Sequence, residues 1–256
     1  VNYGLYISAS GTLHAMYRMD TAANNLANLE TSGFKPELSA SMARKPARQE
    51  DGLTEMPSNE LLEKLGGGVL ARPTYVRMRQ GAVDVTRNDL DVALEGEGFL
   101  VVRSAEGDRQ GLTRDGRLTR NALGQLAQAG TGMLVLSADG EPIQLRGGVP
   151  VKIGLDGSVS QGARNLGRLM VADVAESQRE GLRKQGEGFF AVPQGAELLP
   201  AQARVIQRAL ERSGVDPVSE MMDIGRAERA AGSGVRMIQM HDEIMQRAIN
   251  VYGKLA

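Results

Sequence analysis

Between Ser8 and Thr31 the apolar positions recur at three- and four-residue spacing in two adjacent rows. Thr12, Ala15, Met19, Ala22, Leu26 and Leu29 form one row; Ala9, Leu13, Met16, Asp20, Ala23 and Ala27 form the other. No Pro falls in this stretch, and after Gly11 no Gly appears until Gly33. The spacing predicts a helix with more than one face to cover, roughly 35 Å long at about 1.5 Å per residue. A helical period returns at the other end. Asp216 can cap a helix and Pro217 can open it. Met221, Ile224, Glu228, Ala231, Val235, Ile238, Asp242, Met245, Ile249 and Tyr252 then alternate at 3–4 spacing, broken only by Glu228 and Asp242. That row predicts a coiled-coil-like helix of roughly 55 Å. Gly225, Gly232 and Gly234 lie inside it, each costing about 1 kcal/mol relative to Ala. The helix therefore either breaks there or receives a close neighbour.

The intervening chain has two textures. From Thr31 to about Arg72 the periodicity dissolves around Pro36, Pro46, Pro57 and the run Gly66–Gly68, which reads as an extended linker with a short helix at Asn59–Leu65. From Tyr75 to Val192, short β-branched runs (DVAL, FLVV, MLVL, VKIGL, RLMVADV) are punctuated by Asp-Gly turns at 115–116, 139–140 and 156–157. No helical pattern intervenes to build a parallel nucleotide-binding sheet. The expectation is an α+β protein. Residues 1–35 form an N-terminal helical segment, 36–74 an extended linker, 75–212 a β-rich central domain and 213–256 a C-terminal helix. The long terminal helices pack as a coiled-coil-like pair. One antiparallel pair cannot cover the second row of the first helix, and that surplus implies other chains.

Composition narrows the function. The 256 residues carry a net charge of −1, and no Lys/Arg run offers a nucleic-acid footprint. The chain has no Cys, which excludes disulfides, thiolate metal sites and Cys nucleophiles and suits an oxidising space. No window is apolar enough to span a membrane. The first residues, VNYGLYISASG, lack the basic and long apolar regions of a cleaved signal, so a cytosolic place is expected unless a signal-less export route operates.

The strongest candidate for chemistry is a repeated tetrad, Gly-Glu-Gly-Phe, at Gly96–Phe99 and Gly186–Phe189. A dinucleotide loop needs a third Gly three residues on and a helix opening behind it. Val101 stands there, and FLVV is a strand. The tetrad therefore reads as a bend before a strand, its glycines at positive φ and Phe99 and Phe189 facing a core. His14 and His241 lack metal spacing, so no metal or cofactor is expected. No opposed carboxylate pair, nucleophile elbow or oxyanion site assembles, so neither a catalytic residue nor a small-molecule substrate is expected. A hydrolase or a secreted β-rich adhesin are the other classes; the adhesin would not need apolar stripes at both termini. Asn24, Asn25 and Asn28 are unusual in a helix. Either the helix frays there, or their amides bond to neighbouring helices.

The stretch NNLANLETSGFK, Asn24 to Lys35, resembles the N-terminal signature of bacterial flagellar rod and hook proteins, A-N-N-[IL]-A-N, two variable residues, T-x-G-[FY]-K. NDLDVALEGEGFLVV (88–102), LTRDGRLTRNALGQL (112–126), DGSVSQG (156–162), LGRLMVADV (166–174) and GVDPVSEM (214–221) are similar to that family's blocks in the same order. Within the family, length and the central blocks look most like proximal rod members, with distal rod or hook-type members next. Two departures stand out. The aromatic of the family's QRA[YF] is replaced by Ala230–Ala231, and its QGALE.SNV reads QRALERSGV here, with Arg208 and Gly214.

The resemblance implies a non-enzymatic subunit of the flagellar basal-body rod, exported unfolded by the flagellar type III apparatus without a cleaved signal. Its partners would be copies of itself and the rod subunits above and below. Assembly contacts are then expected at Leu13, Met16, Met19, Asn24, Asn25, Leu26 and Asn28, and at Met221, Ile224, Val235, Ile238, Met245 and Ile249. Gly33, Phe34, Gly96, Gly98, Phe99, Gly186, Gly188 and Phe189 are expected to act as structural turns and anchors.

Overall fold

A computed structural model describes residues 3–46, 49, 66–107, 109–179, 181–186, 188–192 and 195–252; the expected helix at Asn59–Leu65 lies outside them. The chain divides into two compact units. One comprises Val1–Leu26, Glu37–Tyr75 and Asp216–Ala256, the other Ala27–Pro36 and Val76–Val215.

The first unit holds both long helices. Helix α1 spans Tyr3–Ala27, so it starts and stops earlier than the sequence pattern placed it. Its end is set by local chemistry: Thr31 N–H bonds Asn28 O, Phe34 N–H bonds Thr31 O, and Gly33 turns the chain at φ 67°. The C-terminal helix, Pro217–Tyr252, is continuous through all three glycines. Asp216 caps it, its carboxylate accepting from Val218 N–H at 3.1 Å and Ser219 N–H at 3.3 Å. The two helices meet antiparallel: Asn25 bonds Glu220, Arg18 approaches Asp223, Thr12 faces Gly234 and Gly4 faces His241. The expected linker carries regular structure at both ends, strands β1 (Glu37–Ala43) and β2 (Val69–Val76), paired as a two-stranded sheet. This two-stranded sheet is fastened to α1. Tyr17 Oη donates to Arg72 O at 3.5 Å, Val69 N–H to Ser10 Oγ at 3.3 Å, and the Arg44 guanidinium lies over the Tyr6 ring.

The second unit is β-rich. Strands β3 (Val83–Val85), β4 (Val92–Glu95), β5 (Phe99–Arg103), β6 (Gln110–Thr113), β7 (Leu118–Arg120), β8 (Leu126–Gln128) and β9 (Leu134–Val135) come first. β10 (Val151–Ile153), β11 (Ser158–Gln161), β12 (Arg164–Arg168) and β13 (Val171–Val174) follow. After the short helix α2 (Glu176–Arg179) come β14 (Arg183–Lys184), β15 (Phe189–Ala191), β16 (Leu198–Pro200), β17 (Arg204–Gln207) and β18 (Ala209–Glu211). The helix Pro217–Tyr252 is α3. The principal sheet runs β14-β15-β6-β5-β9-β8-β7, with β13 pairing both β5 and β16. β10-β11-β12, β17-β4 and β18-β3 form separate sheets whose strands pair antiparallel.

Alternation along β5 divides the core. Leu100 and Val102 enter one apolar cluster with Leu118, Leu126, Val135, Ile143 and Phe189, while Phe99 and Val101 enter another with Leu112, Val174, Leu182 and Phe190. Arg208, where the family pattern has Gly, is the one described non-Gly residue with positive φ, at 59°. That conformation costs an L-residue about 1–2 kcal/mol. Here it is held by Arg208 N–H on Asp91 O at 2.8 Å and by the guanidinium on Asp89 at 2.7 Å.

Candidate assembly interface and the docked signature

The helix seam is built from small residues. On α3 the positions turned inward are Glu220, Ile224, Ala227, Ala231, Gly234, Ile238 and His241, alternating by four and three, and only Ala227 and Ala231 are fully buried. On α1 the covered row contains Thr12, Ala15, Met19, Ala22 and Leu26. A Cβ at Gly234 would lie 2.0 Å from Thr12 Oγ1, whereas one at Gly232 would meet nothing within 4 Å. Of the alternatives left open by the glycines, Gly234 is therefore the close approach, and no break occurs. The row read from the sequence on α3 is half displaced. Ile224, Ala231 and Ile238 lie on the seam, but Met221, Glu228, Val235 and Asp242 face solvent one position round the helix.

Several expected contact residues remain uncovered in the single chain. Leu13 is 68% exposed, Met16 41%, Met221 59% and Ile249 66%. Val235 and Met245 are also exposed, and Met19, Leu26, Ile224 and Ile238 are half-buried. From Asp242 to Asn250 every residue of α3 is exposed, beyond the point where His241 meets Gly4. That stretch is roughly 14 Å of helix.

The three asparagines part company. Asn24 is exposed, and Asn28 accepts from Thr31 Oγ1 at 3.2 Å. Asn25 is buried: its Nδ2 donates to Glu37 O at 2.7 Å and to Glu220 Oε1 at 3.3 Å, and its Oδ1 accepts from Glu37 N–H at 2.9 Å. One amide thus ties α1 to β1 and α3. Asn25→Ala is expected to cost about 1–3 kcal/mol in denaturant unfolding of the helical signal, because it removes the buried bonds that Asn25 makes to the Glu37 amide and carbonyl. Hydrogen exchange of the Glu37 amide checks this, and unchanged protection would contradict it. His14 lines a cavity of ≈310 Å³ with Arg18, Asn25, Glu37, Glu220 and Asp223. Burial first, then the Arg18 charge, hold its imidazole below the usual histidine range.

The signature's end, Thr31–Pro36, docks inside the β-rich unit. Gly33 donates its N–H to Glu211 O at 2.7 Å, and a Cβ there would lie 2.2 Å from Arg114 O, so side chain and backbone both require glycine. Phe34 is buried beneath the Lys184 ammonium, 3.6 Å from its ring centre. Lys35 Nζ sits 2.5 Å from Glu211 Oε1 and donates to Arg79 O at 2.9 Å, while Arg114 reaches Glu211 Oε2 at 3.2 Å. Glu211 also accepts from Gly81 N–H at 2.9 Å, and its side chain is 0% exposed. Burial lowers the pKa of both Lys35 and Arg114, and Glu211 opposes that fall. Sequence reading named neither Arg114 nor Glu211 as a site residue. The available signal was that Lys35 and Arg114 stand in blocks quoted for the resemblance, and that Glu211 keeps the Glu of the family's QGALE.SNV within the departing QRALERSGV.

The tetrads serve this frame differently. Gly96, Gly98, Gly186 and Gly188 have φ of 103°, 125°, 73° and 74°. A Cβ at Gly98 would lie 2.5 Å from Ala201 Cβ, but at Gly188 the nearest atom is 4.0 Å away. Arg114 donates to Gly96 O at 2.6 Å, and Gly188 O accepts from Thr113 Oγ1 at 3.0 Å. Phe99 packs edge-on against Phe190 at 5.4 Å, so the aromatic partner of the first anchor is the residue after the second. Among the described residues no group of His, Asp or Glu is placed to hold a metal, and no helix is long and apolar enough to cross a membrane.

Three family models match the chain in sequence order. They are flagella basal body rod protein at residues 5–35, flagellar hook protein FlgE/F/G D1 domain at 93–161, and flagellar basal body rod FlgEFG protein C-terminal at 206–251. The chain is 33% identical over 255 residues to the flagellar basal-body rod protein FlgF of Caulobacter vibrioides, covering 98% of each. It is 27% identical over 263 residues to FlgF of Salmonella typhimurium, covering 97% of each. Against the rod protein FlgG of Caulobacter vibrioides it is 26% identical over 261 residues, covering 94% of this chain and 96% of the relative.

Proposed function

The chain belongs to the flagellar basal-body rod family, as a structural subunit, and on that footing we propose that it builds the proximal rod by packing its terminal helices against neighbouring copies. The FlgF relatives, named for the proximal rod protein, support that position over the distal one. The observation that carries the proposal is the apolar surface left uncovered on α1 and α3, with Leu13, Met16, Val218, Met221, Ile244 and Ile249 exposed along the two helices. Apolar residues left exposed along a helix face suit a partner surface. In this reading the helices form a coiled-coil-like pair at the inner layer of the rod, the β-rich unit forms the outer layer, and other rod subunits sit above and below. The subunit crosses the flagellar export apparatus unfolded and orders at the growing tip, where ordering is coupled to association.

Leu13→Asp and Ile249→Asp test the reading. Both positions are exposed, so each change should alter monomer stability by no more than about 0.5 kcal/mol. Each is expected to abolish rod assembly and motility when it replaces the native chain. Basal bodies of normal appearance with either variant would overturn the proposal. Labelling of the chain in purified basal bodies by electron microscopy would separate a proximal from a distal position.

A further inference from the structure

Where the Gly96–Phe99 turn meets the docked signature, the β-rich unit keeps a cavity of ≈30 Å³ lined by Lys35, Glu97, Phe99, Arg114, Asp173 and Arg179. Two hydrogen-bond donors belonging to its lining are uncommitted. Nε of Arg114 and Nε of Arg179 are both closed to solvent, and among the described residues neither has a partner. Other nitrogens of both side chains are in use, Arg179 spending Nη2 on both of its acceptors. Arg114 donates to Glu211 Oε2, Leu94 O and Gly96 O, and Arg179 donates to Glu97 Oε2 and Asp173 Oδ2 at 2.7 Å each. The Arg114 side chain is 6% exposed and that of Arg179 29%, but at neither does bulk water reach Nε. A buried N–H left without an acceptor costs about 1–3 kcal/mol, and two such groups around one cavity mark a place for an acceptor.

Size and charge identify the acceptor's class. The volume is of the order of one or two water molecules, since about 10–15 Å³ of probe volume holds one. A phosphate or a carboxylate ligand, with several heavy atoms, does not fit. The charges of the lining and its partners balance: Lys35, Arg114 and Arg179 face Glu97, Asp173 and Glu211. A bare anion would unbalance that set, whereas a neutral acceptor would not. Water also brings two hydrogens, and the Asp173 and Glu97 carboxylates stand at the same cavity to receive them.

We infer that this cavity binds one ordered water molecule, which accepts from the Nε–H groups of Arg114 and Arg179 and joins the Lys35–Glu211–Arg114 cluster to the Glu97–Arg179–Asp173 cluster. It links three stretches that are distant in sequence: the signature at Lys35, the first tetrad at Glu97–Phe99 and the segment Asp173–Arg179. A bridging water of this kind contributes nearly as much as a direct hydrogen bond.

Crystals of the full chain grown with bromide as the only halide decide the matter. The expected result is one density peak without anomalous signal, within about 2.7–3.2 Å of both Nε atoms. An anomalous bromide peak at that position would make the site an anion site and overturn the inference, as would a cavity with no peak. In solution, the Arg114 and Arg179 Nε–H resonances should both show cross-relaxation to a long-lived water. Loss of that signal for either arginine, in a folded chain, would also overturn it.

Discussion

Glu211→Ala is expected to destabilise the β-rich unit by about 3–5 kcal/mol, the range for removing one partner from a buried ion pair. Glu211 pairs with two buried cations, Lys35 and Arg114, and its oxygens also take the Gly81 amide. Without it, both cations are left desolvated beside each other, and burial already pulls the pKa of each below its ordinary value. The loss should be non-additive. Lys35→Met alone leaves Glu211 with Arg114, and Lys35→Met combined with Glu211→Ala removes one of the stranded charges, so the double variant should recover part of the single variant's loss. Urea unfolding followed by amide signals of β5 and β6 measures all three. Equal losses in the single and double variants would contradict the account, as would a Glu211→Ala cost below about 1 kcal/mol.

Gly234→Ala and Gly232→Ala are expected to differ in sign, although they make the same change two residues apart in one helix. Ala is better than Gly in a helix interior by about 1 kcal/mol, and at Gly232 nothing lies within 4 Å to oppose that gain. At Gly234 the new methyl would stand 2.0 Å from Thr12 Oγ1 and 3.2 Å from Thr12 Cβ. Thr12 is buried and its hydroxyl is held by Ser8 O at 2.7 Å, so it cannot swing clear without losing that bond. Overpacking of this kind costs about 1–3 kcal/mol and separates α1 from α3. Gly234→Ala should therefore weaken helical unfolding cooperativity and impair rod assembly, while Gly232→Ala raises helix stability and spares assembly. Circular dichroism melts and complementation of motility give the two readouts. A Gly234→Ala chain as stable and as motile as the Gly232→Ala chain would refute the close-packed seam.

Much of the architecture was legible because it is local. The Asp216–Pro217 start, the β-branched runs and the Asp-Gly turns each act through residues a few positions apart, and the structure places a helix start and strands β4, β5, β9, β10 and β13 there. What stayed hidden depends on pairings far apart in sequence. Lys35 and Glu211 are 176 residues apart, and no period or spacing links them. Half of the inner face of α3 was read one step round, because a hydrophobic count does not reward small residues such as Ala and Gly. At the displaced steps the seam instead selects Ala227 and Gly234, for which small size matters more than apolarity. Asn25 was ambiguous for the same reason: its role depends on Glu37 and Glu220, which only the fold brings near.

The twin tetrads carry a last consequence. β5 and β15 both pair with β6, but Thr113 faces Leu100 on one side and Phe189 on the other. The copies are thus staggered by one residue across their shared neighbour, so Phe99 and Phe189 fall on opposite sides of the sheet. Identical wording is read in two different frames. A chimaera exchanging residues 95–102 for 185–192 would conserve Gly-Glu-Gly-Phe at both places, yet Phe190 would replace Leu100 in one cluster and Leu100 would replace Phe190 in the other. Duplication in the text of this protein therefore does not make its parts interchangeable.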